Sequence, residues 1–235
     1  MSSRLRRLLC FGLTLFAVAT AESSWAQSGH PPLALAAAKA VLDRMDANAE
    51  MSATYGACPA DSFRRATAQT AAHLLAAKPT LAQCAADPES CHAACLGGQG
   101  SACFALARAF QENEQVAPPY AAQKLFSMAC SYGYGAGCTN RAANLRNNLS
   151  ENDPLRALAK RAREACQFRT FRIACQESDA WGCAMLGQSY QYGEGVNRSP
   201  PRARGAFDKA CRLAPDFEAC SFAKDGAARL TNHQD

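Results

Sequence analysis

The chain predicts an all-α fold: an array of helix-turn-helix repeats of about 36 residues, stapled by disulfides. Three observations predict it. Much of the 49% apolar content is alanine, aromatics are only 8%, and long β-branched runs are absent, a balance that favours helix over sheet. Cysteines come in spaced pairs: Cys95 with Cys103, Cys130 with Cys138, Cys175 with Cys183, and Cys211 with Cys220. Their first members fall at 95, 130, 175 and 211, in steps of 35, 45 and 36. Finally, the text between pairs repeats one plan. FALARAFQENEQVAPPYAAQKLFSMAC and AMLGQSYQYGEGVNRSPPRARGAFDKAC each open as a helix, break at Gly or Pro, and resume as a helix ending in Ala-Cys.

Taken in order, residues 1–26 read as an export signal. Arg4, Arg6 and Arg7 precede an apolar run from Leu8 to Ala19, too short to span a bilayer. Small-residue sites follow, and cleavage is expected after Ala26. Removing this segment takes Cys10 with it and leaves twelve of the thirteen cysteines, an even number in a chain bound for an oxidising compartment. Residues 27–87 read as an N-terminal helical cap or degenerate repeat. Leu33 to Met51 is an alanine-rich amphipathic helix, and Asp61 to Lys78 another, with Asp61 as N-cap and Pro79 as stop. The repeat array occupies 88–235. Pro88 to Leu96 plays the second helix of a unit (helix B), ahead of the joint at Cys95.

In the next units Phe104, Leu106, Ala107 and Phe110 fall at near-helical spacing, and so do Met185, Leu186 and Tyr190. Pro118-Pro119 and Pro200-Pro201 sit where a helix B begins, a first-turn position that tolerates proline. CTNRAANLRNNLSENDPLRALAKRAREAC is a drifted copy. The nine residues QFRTFRIAC that follow account for the 45-residue step and lengthen helix B or add a turn.

Leu186, Gly187, Tyr190, Gly193, Gly195, Val196, Ala206 and the Lys209-Ala210-Cys211 ending resemble the Sel-one-like repeat, a relative of the tetratricopeptide repeat. The Cys-x7-Cys joint is similar to that of the cysteine-rich exported (Hcp-like) branch. The likeness covers roughly 88–225. It implies a right-handed α/α solenoid whose cysteine pairs are disulfides joining helix B to the next helix A. It also implies an exported protein, with penicillin binding or weak β-lactamase activity in some members and adaptor roles in others.

The residues themselves bear on the joints. Eight positions along an unbroken helix span about 12 Å, whereas a disulfide needs Cα atoms within about 7 Å. The bracketed segments must therefore turn, and Gly97, Gly98, Gly100, Gly133, Gly135 and Gly137 permit it. Zinc would prefer Cys-x2–4-Cys knuckles and a redox switch Cys-x-x-Cys. Cys84 and Cys91 bracket an Asp87-Pro88 turn and are expected to pair. Cys58–Cys166 follows by elimination, with Cys166–Cys175 as the alternative.

Other candidates are weaker. CHAAC places His92 beside Cys91 and Cys95, but Cys95 already has a partner in Cys103 and His92 reads as one turn of a helical surface, so no metal and no cofactor is expected. His30, His73 and His233 are isolated. Ser221-Phe222-Ala223-Lys224 matches the Ser-x-x-Lys of penicillin-interacting enzymes, without the companion Ser-Asp-Asn and Lys-Thr-Gly. Ser221 is also a repeat position, following its cysteine as Phe104, Thr139 and Ala184 do. Five and eight positions after the helix-A cysteines stand Arg108 and Gln111, Ala143 and Arg146, Gln188 and Gln191. These are the candidate binding surface on the concave face that such arrays use. Net charge is +5 with the signs mixed, which gives no case for nucleic-acid binding. Nothing beyond the first segment is apolar enough for a membrane span. The expected function is an exported scaffold or adaptor that binds a protein or peptide without catalysis. The alternative is a penicillin-binding protein or weak β-lactamase acting through Ser221 and Lys224.

Overall fold

The computed structural model describes residues 32–64 and 77–231. The segment expected to direct export, with Cys10, as well as His30, His73 and His233, lies outside them. Among the described residues the fold is an α/α solenoid of twelve helices with no strand.

The repeats begin at α4 (Leu81–Ala86) and α5 (Pro88–Leu96). Three A/B hairpins follow: α6 (Gly100–Gln111) with α7 (Pro119–Ser131), α8 (Gly135–Arg146) with α9 (Lys160–Gln176), and α10 (Ala180–Tyr192) with α11 (Pro200–Leu213). A last A helix, α12 (Glu218–Thr231), ends the array. Each helix packs on the next, and the A helices also touch in series, α6 on α8, α8 on α10, α10 on α12. Pro119 and Pro200 sit in first turns, where a missing N–H costs nothing. The inserted residues lengthen helix B: α9 has 17 residues against 13 in α7.

Three of the four joints share one geometry; in the fourth, Ala214 has an extended φ of -151°. Three residues after the first cysteine the backbone is left-handed, at Gly98 (φ 93°), Gly133 (φ 83°) and Ser178 (φ 63°). The following amide reaches back five residues, Tyr134 N–H to Ala129 O and Asp179 N–H to Ala174 O, both at 3.0 Å. That is the Schellman type of helix ending. Disulfides cross all four joints, with Cα atoms 4.4–4.6 Å apart. The glycine beside the second cysteine serves contact rather than turning. A Cβ on Gly137 would lie 2.5 Å from the Ala129 Cβ, and one on Gly182 2.6 Å from the Ala174 Cβ. Helix B and the next helix A thus touch nearly backbone to backbone.

The interior is built from Leu106, Phe110, Leu125, Phe126 and Met128 in one half and Phe171, Leu186 and Phe207 in the other. The Phe207 ring lies between Gly187 and Gly226; a Cβ on either would come within 2.5 Å of it. Lys209, in the Lys-Ala-Cys ending, donates its Nζ to the Cys175 carbonyl at 2.7 Å. It caps the carbonyl end of the preceding helix B.

The described part of the N-terminal region consists of short helices laid against the repeats. Asn48 interrupts the long helix read from Leu33 to Met51: its side chain accepts from the Met51 amide at 2.9 Å. This N-cap divides α1 (Leu35–Ala47) from α2 (Ala49–Gly56). Asp61, expected as the N-cap of the second helix, lies inside the single turn α3 (Pro59–Ser62), with Cys58 in the N-cap position. Phe63 and Arg64 leave it, and the Arg64 amide bonds to the Ser131 carbonyl; residues 65–76 of that expected helix lie outside the described ones. Ala77 to Thr80 are not helical, and Thr80 with Gln83 forms a capping box for α4. The three helices lie along the B layer, α1 on α5, α2 on α7, and α3 on α7 and α9. Val41, Met45, Met51 and Tyr55 are buried there. Of two further disulfides, Cys58–Cys166 fastens this region to α9, and Cys84–Cys91 joins α4 to α5.

Candidate functional site

A groove of about 490 Å³ opens on the A-helix side. The A helices α6, α8 and α10 each supply residues to it. Phe104 and Arg108 come from α6, one turn apart. Ala136, Thr139, Asn140, Ala143 and Asn147 run along α8. Asp179, Trp181 and Met185 stand at the start of α10, and Phe217 precedes α12. Three of the eleven lining residues are aromatic: Phe104, Trp181 and Phe217. Phe104 packs on Tyr134 at 5.3 Å and on Phe126 at 5.7 Å between centroids, and Trp181 packs edge-on against Phe217 at 6.4 Å. Phe217 is 49% exposed, a large apolar side chain left facing solvent at the rim.

Asp179 joins two repeats. It caps α10 through the Gly182 amide at 2.7 Å and accepts the Thr139 hydroxyl at 2.6 Å, both on Oδ2. Burial pushes its carboxyl above the ordinary aspartate value, while these two bonds pull the other way.

Of the five expected surface residues, Arg108 lines the groove, ion-paired with Glu112. Arg146 donates to Gln188 at 2.7 Å and pairs with Glu194. These contacts tie α8 to α10 rather than face a ligand. Gln111 is half-buried and lies outside the groove lining. Gln191 is not a surface residue: it is 4% exposed, and its Nε2 donates to the Gly226 carbonyl at 3.2 Å, linking α10 to α12. The reason is angular. At about 100° per residue, offsets of +5, +9 and −2 from the cysteine share one helix face, as in Arg108, Ala143, Asn147, Ala136 and Trp181. An offset of +8, at about 80°, falls at the edge of the lining face, just beyond the +1 positions Phe104 and Thr139.

Ser221 and Lys224 are exposed on α12 and lie outside the groove lining. His92 is buried, its Nε2 without a hydrogen-bond partner. No group of three or more potential metal ligands occurs among the described residues. Burial, helped by Arg44, holds the His92 imidazole below its ordinary value of 6.5. The fold therefore favours the neutral ring. Stability is then complete above about pH 6.5 and declines as pH falls through that value toward the lower folded one. Melts at pH 7.5, 6 and 5 should show the wild type losing Tm on acidification more steeply than His92→Gln. Parallel profiles would rule this out.

No family model matches the chain, and no curated protein matches it. The chain is similar to a solved Sel1 repeat protein. That crystal structure, from Oxalobacter formigenes, shares 20% identity over 58% of this chain and 96% of its own, with a TM-score of 0.46.

Six disulfides fit a non-cytoplasmic protein. No described helix is long and apolar enough to cross a membrane.

Proposed function

We propose that this chain is an exported helical-repeat scaffold that binds a segment of a protein or peptide in the A-helix groove, the concave side of the solenoid, with no catalysis of its own. One observation carries the reading: a groove of ligand size, walled in part by aromatic side chains and left open, with Phe217 half exposed at the rim. Sites of this kind, apolar with a few polar groups, are where small ligands and peptide side chains bind. The disulfides support the role by fixing the angles between the helices that form the wall.

The test is a selection from a random peptide library displayed on phage, with the disulfide-intact protein immobilised. The wild type should enrich a defined set of peptides. Trp181→Ala should bind those peptides at least about tenfold more weakly while melting cooperatively. A wild type that enriches nothing, or peptides indifferent to Trp181, would end the proposal.

A further inference from the structure

The charges along the groove decide the sign of its occupant. Only two charged side chains line it, Arg108 and Asp179. Arg108 is already neutralised by Glu112, one helical turn along. Arg146, near by on α8, is held by Glu194. Asp179 has no cation within ion-pair distance among the described residues. Both of its hydrogen bonds fall on Oδ2, so Oδ1 has no hydrogen-bond partner there. Among the described residues, the groove thus carries one charge without an ionic partner, an anion met only by the Thr139 hydroxyl and the amide end of α10.

Its surroundings suit a cation on an aliphatic stem. Trp181 lies two residues from Asp179, and Phe104 and Phe217 line the same groove. Aromatic faces attract ammonium and guanidinium groups. Met185 and Ala136 add apolar surface along which a methylene stem can lie while its charged end reaches a polar partner. A carboxylate paired to such a cation gains a charge-assisted hydrogen bond. Burial already disfavours the unpaired carboxylate, as its raised pKa reports. An acidic ligand would meet repulsion, and a purely apolar one would cover Asp179 without a partner, which costs affinity.

From this geometry we infer that the groove recognises a basic segment of a partner protein, with a lysine or arginine side chain passing along the aromatic residues to Asp179 Oδ1. The inference rests on the groove being the peptide site, and one experiment separates the two. The peptides selected on the wild-type protein should be enriched in Lys or Arg flanked by apolar residues. In the best of them, replacing that residue by norleucine should weaken binding about tenfold on the wild type and hardly at all on Asp179→Asn. The asparagine keeps an acceptor for Gly182 and Thr139, and the variant's melt checks the fold. Groove-bound peptides without basic enrichment would overturn this inference and leave the scaffold reading standing. So would a norleucine penalty equal on both proteins. Absence of any groove-bound peptide would overturn both.

Discussion

Arg141→Met should lower stability by about 3–5 kcal/mol, a fall in Tm of roughly 10 °C for a chain of this size. Arg141 is completely buried. Its guanidinium forms a bidentate pair with Asp153, 2.8 Å from Nη2 to Oδ1. Nε donates to Ser127 Oγ at 3.0 Å, Nη2 to the Tyr55 carbonyl at 3.3 Å, and the group lies 4.9 Å from the Tyr55 ring centroid. One side chain therefore joins α8, α7, the loop before the 3₁₀ turn at Pro154–Ala157, and α2. Removing it strands the Asp153 carboxylate, 5% exposed, in a site that water barely reaches, and that desolvation dominates the loss. The mechanism makes a second demand. Arg141→Met combined with Asp153→Leu removes both charges and should recover more than half of what the single substitution loses. Thermal melts of the disulfide-intact proteins decide it. A single variant melting within about 2 °C of the wild type, or a double variant no better than the single, would show that the pair does not hold these elements together.

Neither member of this pair announces itself. Arg141 stands in a drifted repeat and Asp153 in its loop, where charges usually face solvent. They are buried because the loop folds one onto the other, a contact between residues twelve positions apart that no periodicity records. The joints are the opposite case. Cysteine spacing implied a turn between each helix B and the next helix A, and the turns are where it places them. Even there, glycine content overstated the conformational need, since Ser178 takes the left-handed position in the third joint. Asn48 shows why the N-terminal layer was hidden. The apolar pattern runs through it at helical spacing, and only its side-chain bond to Met51 reveals that one helix has become two. With that break, α1 and α2 can follow the B helices, α1 on α5 and α2 on α7. In the groove, register reached Arg108 but not Asp179 or Trp181, which stand before the cysteine, outside the window that offsets of +5 and +8 cover.

The largest effect of removing a disulfide should come from Cys58→Ser with Cys166→Ser. The other five bridges close loops of seven to nine residues, whereas this one spans 108. In the loop-entropy model the short closures restrict the unfolded chain by about 2–3 kcal/mol each and a closure near 100 residues by about 4–5 kcal/mol. The three short bridges nested inside it reduce its effective length, but the dependence is logarithmic, so the difference survives. Structure adds to it. Cys58 sits at the start of α3 and Cys166 in α9, so the bridge holds the N-terminal layer onto the second hairpin, where Tyr55 also meets Arg141. Denaturant unfolding without reductant should give a loss of about 4–5 kcal/mol for this pair and about half that for Cys211→Ser with Cys220→Ser. Proteolysis under native conditions should cut the N-terminal layer faster only in the first. Equal losses in the two variants would mean that strain or denatured-state contacts, rather than loop length, govern what these bridges contribute.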